Sequence, residues 1–304
     1  MQRKTLMAEA IRPKAMLPKA IRSGAMALTL GLAFGVMGQT AVAQDKGELR
    51  IGLNNWAENV AVSNMWKILL EEKGYDVTLV NAGKSVVYDG VARDNLDMGL
   101  EVWLPKTDKP FVSEYEDEIV IQEDWYNGTG LGLVVPSYVE TDSITQLNAQ
   151  ADKFDGQIVG IDPGSALMGM TETALEEYEL SNYKLIASSG PGMTSQLKRA
   201  YRREEPIVVT LWNPHWAFAD FDLKYLDDPK NIYGKGEDIY WMSREGLKSD
   251  HPEVVRWLNA WHMNDTQLGG LMAVINKQGD PAEGAQKWIA NHRDLVNSWM
   301  DGSS

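Results

Sequence analysis

Short apolar runs alternate with stretches of helical spacing along most of the chain. Apolar runs at 49–54 (LRIGLN), 76–80, 98–102, 131–135, 157–161 and 206–211 (PIVVTL) predict strands. Between them, 60–73 (VAVSNMWKILLEEK), ended by Gly74, and 195–203 (SQLKRAYRR) predict helices. From about residue 239 the pattern turns mostly helical, over 252–263, 265–276 and 281–299. Strands alternating with helices in this way predict an α/β fold with largely parallel sheets.

Two segments interrupt the alternation. Pro136 breaks LGLVVPSYV (131–139), and DDPKNIYGKG (227–236) is rich in turn formers. Read as two crossings between lobes, they divide the chain into a discontinuous lobe I, residues 48–130 plus 236–304, and an inserted lobe II, residues 131–235.

The first 43 residues read as an export signal. Arg3, Lys4, Arg12, Lys14, Lys19 and Arg22 precede an apolar run at 25–37 (AMALTLGLAFGVM), too short to span a bilayer, and Ala41-Val42-Ala43 supplies a small-x-small cleavage pattern. Cleavage near Ala43 predicts a periplasmic protein starting at Gln44. The sequence holds no cysteine, which excludes disulfides, thiol chemistry and a lipid-accepting cysteine beside the cleavage site. Its 43 acidic against 29 basic residues give a formal net charge of −14, and removing the basic leader makes it more negative. Nucleic acid and anionic membranes are therefore poor partners.

Composition also shows eleven tryptophans against five phenylalanines, and the position of three of them is informative. Trp56 (RIGLNNW), Trp103 (MGLEVW) and Trp212 (IVVTLW) each stand at the carboxyl end of a predicted strand, where open α/β sheets bind ligands. Closing a cleft between lobes brings the three indoles together. A cage of indole faces suits a cation with no hydrogen to donate, because a quaternary ammonium sheds water cheaply and each face contributes roughly 0.5–2 kcal/mol. Trp66, Trp216, Trp241, Trp257, Trp261, Trp288 and Trp299 lie in or beside helical patterns and are read as packing residues. Trp125 or Tyr126 is a candidate fourth wall.

GIDPGSALMGMTE (160–172) ends a strand and starts a helix, leaving the N–H groups near Ala166 and Leu167 without intrahelical acceptors and at the positive end of the helix dipole. Such a terminus holds a carboxylate, or Ser165 simply caps it. With a cation cage, it suggests a zwitterion. Glu58, two residues after Trp56, either accepts a hydrogen bond from a ligand hydroxyl or caps the helix near Val60. His215 is read chiefly as a loop histidine held by a hydrogen bond, and as the last member of the site.

No Gly-rich phosphate loop, no histidine cluster of metal spacing and no G-x-S-x-G nucleophile motif occurs. A carbohydrate-active enzyme would need a pair of acids, and sequence alone offers Glu101 no partner. No catalytic residue, metal or cofactor is predicted.

The wording of GLNNWAENVAVSN, VWLPKTD, GLGLVVPSYV, GIDPGSALM and TLWNPHWAFADFDLKYLDDPK, in that order, resembles the glycine betaine/proline betaine substrate-binding proteins of ABC transporters, the OpuAC-like domain. The resemblance implies a two-lobed periplasmic binding protein fold of type II with the ligand in the inter-lobe cleft. It implies an indole cage of Trp56, Trp103 and Trp212, with the Ala166 and Leu167 amides on a betaine carboxylate. It also implies delivery of glycine betaine or proline betaine, as a monomer, to an inner-membrane ABC permease and ATPase. Choline or carnitine is the alternative ligand. Some relatives read WLPxTH where this chain reads WLPKTD, placing Asp108 where they hold the ligand carboxylate with a histidine. An anionic Asp108 there has to point away or be offset by Lys106 or Lys109. Choline-binding relatives place an acid at the position of Glu58.

Overall fold

The computed structural model describes residues 46–301. The predicted export signal lies outside them. The first sheet is built on β1 (Glu48–Leu53), whose Leu49 and Ile51 are wholly buried. Helix α1 (Ala57–Glu72) then buries Ala61, Val62, Met65, Trp66, Leu69 and Leu70, the i, i+4 stripe expected of a helix laid on a sheet. Gly74, at φ +96°, reverses the chain into β2 (Asp76–Asn81), parallel to β1. After α2 (Lys84–Ala92), β3 (Met98–Leu104) pairs with the other side of β1. The short α3 (Lys109–Glu114) leads to β4 (Ile119–Asn127).

The second sheet starts at β5 (Gly130–Pro136) and continues through β6 (Gln157–Val159), α4 (Ala166–Glu177), β7 (Lys184–Ile186), α5 (Gly190–Arg202), β8 (Val209–Asn213), α6 (Ala217–Asp220) and β9 (Leu223–Tyr225). The chain then returns to the first sheet as β10 (Asp238–Arg244), followed by α7 (Leu247–Asp250), α8 (Pro252–Asn259), α9 (Asp265–Gln278), α10 (Pro281–Asn291) and α11 (Arg293–Met300). Strand order is β2-β1-β3-β10-β4 in one sheet and β7-β6-β8-β5-β9 in the other.

Both sheets are mixed rather than largely parallel. β10 runs antiparallel to β3 and β4, and β5 antiparallel to β8 and β9. The Pro136 segment, expected as a crossing, is strand β5 between β8 and β9. The chain instead changes sheets just before it, at Gly128–Thr129, and again between Tyr225 and Asp238. The two crossings touch: Gly128 and Thr129 donate N–H to the Glu237 carbonyl, and a Cβ at Gly236 would stand 2.8 Å from the Thr129 carbonyl. Only glycine allows that approach.

The helical tail packs on α1 through α9 and α10, and departs from the sequence pattern in two ways. β10 precedes it, where the sequence pattern reads as mostly helical. The helix expected over 281–299 breaks at His292, whose ring nitrogen lies 2.8 Å from the Trp288 carbonyl. A Cβ on Gly284 of α10 would stand 2.6 Å from Ile275 Cα, so glycine sets the distance between α9 and α10. Among the described residues no helix is long and apolar enough to cross a membrane.

Candidate functional site: an indole pocket between the two sheets

The three strand-end tryptophans meet. Trp56 occupies the N-cap position of α1 just beyond β1, Trp103 is the penultimate residue of β3, and Trp212 lies near the end of β8, so the first sheet supplies two indoles and the second one. The Trp56 and Trp212 ring centroids are 6.5 Å apart at an interplanar angle of 60°. All three rings line one inner pocket, with Leu131, Ile161 and the start of α4 closing it from the second sheet.

Each indole N–H is fixed by a carboxylate. Trp56 Nε1 donates to Asp162 at 3.3 Å, Trp103 Nε1 to Glu101 at 3.0 Å, and Trp212 Nε1 to Glu58 at 2.7 Å. These bonds hold the ring planes in place, which favours a cation between their faces. Two of them, from Trp56 and Trp212, also tie the first half of the fold to the second.

Glu58 does not cap α1. Trp56 is the cap residue and makes no side-chain cap bond, while the Glu58 carboxylate is fully buried in the pocket wall. Burial, followed by the charge of Glu101, pushes its proton affinity well above the ordinary carboxylate range. Glu101 is raised too, by burial, although the nearby Lys84 ammonium opposes the shift. The enzyme reading found no second acid for Glu101; the fold supplies one in Glu58.

Asp108 lies in the pocket wall and is only 2% exposed. Its Oδ2 accepts the Trp103 backbone N–H at 2.8 Å and lies 2.7 Å from Lys84 Nζ. Burial raises this carboxyl, against the pull of Lys84. The offsetting cation is thus Lys84, not Lys106 or Lys109: Lys106 Nζ donates to the Ile232 carbonyl. Lys84 opens α2, gives a second hydrogen bond to the Glu101 carbonyl at 2.8 Å, and places its ammonium 5.2 Å from the Trp56 ring centroid. Sequence reading missed it, although the rule that found the tryptophans points to it, since Lys84 follows the carboxyl end of β2.

At the opposite wall, Ala166 and Leu167 form the first turn of α4 and line the same pocket. The Ser165 side chain caps the helix by accepting the Met168 N–H at 3.4 Å. The first two amides are left for another acceptor.

His215 stands apart from this pocket. It lines an outer groove behind Trp56 and Trp212, beside the half-buried Trp216. Its Nδ1 accepts the Ala217 N–H at 3.0 Å and its ring meets Trp212 edge-on at 4.8 Å. Burial lowers its pKa to about 3, so it is neutral and holds a loop. Trp125 and Tyr126 supply no fourth wall. Trp125 stacks on Trp261 at 4.3 Å and donates to the Leu100 carbonyl, and the Tyr126 hydroxyl donates to Asp265. The remaining tryptophans, apart from Trp216, are buried as packing residues.

Comparison with known proteins agrees with this geometry. The model of the substrate-binding domain of ABC-type glycine betaine transport systems matches residues 47–291. The glycine betaine/carnitine transport binding protein GbuC of Listeria monocytogenes is 44% identical over 153 residues, which is 50% of this chain and 51% of that protein, so the match spans about half the relative's length. Among solved structures, lactococcal OpuAC in its closed, glycine betaine-bound conformation has a TM-score of 0.78 at 34% identity, covering 84% of this chain and 99% of that one. The glycine betaine/L-proline-binding protein ProX of Borrelia burgdorferi has a TM-score of 0.78 at 33% identity, covering 83% and 96%. With its two mixed sheets and the pocket between them, this chain belongs to the family of substrate-binding domains of ABC-type glycine betaine transport systems.

Proposed function

We propose that the protein is the periplasmic receptor of an ABC importer and captures a quaternary ammonium solute, glycine betaine first among them, for delivery to a permease and its ATPase. It works as a monomer and is not an enzyme. The observation that carries the reading is the meeting of three indoles from both sheets around one pocket, each with its N–H held by a carboxylate. Trp56, Trp103 and Trp212 take the cationic head, and the Ala166 and Leu167 amides take the carboxylate of a betaine. Asp108 stays paired with Lys84, which removes the repulsion an isolated acid would exert.

The segregation of strands supports two lobes, 48–130 plus 236–304 and 131–235, that close on the ligand about the paired crossings. A ligand that bridges the lobes shifts the balance toward the closed form by its differential affinity, which is how occupancy is signalled to a permease.

A second reading, choline or carnitine, draws support from Glu58. Its Oε2 holds Trp212 while its Oε1 is buried without a partner, poised to accept a ligand hydroxyl. Calorimetric titration with glycine betaine, choline and carnitine ranks the three. Trp212→Ala should weaken the preferred ligand by at least about 1–2 kcal/mol, roughly 5- to 30-fold. Unchanged affinity in a folded variant removes Trp212 from the site.

A further inference from the structure

The pocket is electrically lopsided. The first-sheet side contributes Glu58, Glu101 and Asp108 against the single ammonium of Lys84, all nine-tenths or more buried. The second-sheet side contributes Leu131, Ile161, Trp212 and the start of α4, with no charged side chain lining the pocket. Lys84 is spent on Asp108 and the Glu101 carbonyl. Glu58 and Glu101 each give one oxygen to an indole N–H, and their other oxygens, Glu58 Oε1 and Glu101 Oε2, are buried with no hydrogen-bond partner.

Two buried carboxylates lining one pocket do not both stay ionised, because the one cation beside them is already paired with Asp108. A neutral carboxyl of one can instead donate toward the other. The groups facing the pair close the electrostatic account. From α2 come Lys84 and Tyr88, whose buried hydroxyl has no partner. From the loop after β3 comes Asp108, with Glu237 beyond it, and from the second sheet come the Trp212 N–H and the helix terminus at Ala166. Among these the only cation is already paired. Burial raises the proton affinity of both glutamates, which agrees with the geometry.

We propose that Glu58 and Glu101 form a proton-sharing pair that sets ligand specificity: a quaternary ammonium cation enters the pocket in exchange for a proton. A carboxyl O–H of the pair breaks, the proton passes to solvent, and the ligand cation takes its place in the charge balance. A zwitterion brings its own carboxylate, so it displaces less of the proton. The proposal rests on the cage reading above and adds to it that Glu101, beneath Trp103, discriminates cation from zwitterion, with pH as the lever.

The test is calorimetric titration of the protein with choline and with glycine betaine at pH 6 and pH 8, each in two buffers of different ionisation heat. Choline heats should differ between buffers by the release of up to one proton. Choline Kd should fall as pH rises, by at most about tenfold per pH unit. Glycine betaine should show a shallower slope and a smaller release. Glu101→Gln, which keeps the shape and an acceptor for Trp103, should cut the release and bring the two slopes together, while the wild-type proton count decides even if that variant does not fold. If choline binds with equal Kd at both pH values and equal heat in both buffers, and Trp56→Ala still weakens it, the exchange is wrong and the cage stands. Tight glycine betaine binding with no choline binding at pH 8 also overturns the exchange. If neither ligand binds, the cage reading falls and takes the exchange with it.

Discussion

Trp56, the N-cap of α1, and Trp66 within that helix lie ten positions apart and serve opposite ends. Trp66 is wholly buried, meets Trp261 edge-on at 5.5 Å and stacks over Trp299 at 6.5 Å, and its N–H finds no acceptor. The indole N–H groups of Trp257, Trp261 and Trp288 are likewise without acceptors. By contrast, Trp56, Trp103 and Trp212 all donate to carboxylates. Burying an indole removes about 150–250 Å² from water, worth roughly 4–6 kcal/mol, which outweighs the roughly 1–3 kcal/mol of an unmade hydrogen bond. A core can therefore use tryptophan as volume and leave its polar atom unsatisfied. A binding wall needs the ring held at one angle, and there the N–H is never left idle. Two core indoles, Trp125 and Trp241, are bonded as well, to the Leu100 carbonyl and Asn259 Oδ1, so a carboxylate on the N–H, rather than any partner, marks the wall.

The largest expected effect is on the core side. Trp66→Ala should destabilise the fold by about 3–5 kcal/mol in chemical denaturation, through the cavity it leaves among Trp261, Trp299 and the α1 stripe. Trp56→Ala should do the reverse, costing the ligand about 1–2 kcal/mol of affinity with a smaller change in stability, since this ring is only half-buried. If the two variants behaved alike in both measurements, the division between core and wall would collapse.

His215 touches Trp212 yet belongs with the core. Its folded pKa is lowered to about 3, so below its ordinary value near 6.5 the unfolded chain binds a proton the folded chain refuses. Stability should be full above pH 6.5 and fall as pH drops toward 3, with a slope of up to about 1.4 kcal/mol per pH unit from this residue. Denaturation midpoints at pH 4, 5 and 7 should show a flatter dependence for His215→Gln. A change confined to ligand affinity would put His215 in the site instead.

The smallest effect sharpens the role of the N–H. Trp56→Phe keeps a ring face and loses the bond to Asp162, which should weaken the ligand by only about 0.5–1 kcal/mol. A loss as large as that of Trp56→Ala would mean that ring orientation, set by Asp162, matters as much as the ring itself.

Much of this division was legible in the chain because it follows from topology. Trp56, Trp103 and Trp212 are recognisable by standing at strand ends, and the α4 start at Ala166 by Asp-Pro-Gly-Ser before an apolar helix. What remained hidden is pairing across the fold. Nothing local tells Glu58 that its partners are Trp212 and Glu101, or Asp108 that Lys84 will neutralise it. β4 and β10 were missed for a related reason: IVIQEDWYN is an acidic strand, and DIYWMSR has its alternation broken by a bulge between Tyr240 and Met242. Pro136 misled in the other direction, since the end of β5 pairs only through Leu223 and tolerates a residue without an N–H.

The most direct test of the cage is a crystal structure of the protein with glycine betaine or choline. The account predicts the trimethylammonium head between the faces of Trp56, Trp103 and Trp212, with its methyl carbons in van der Waals contact with all three rings. A head group seated instead in the outer groove against Trp216 and His215, with the inner pocket closed, would contradict it.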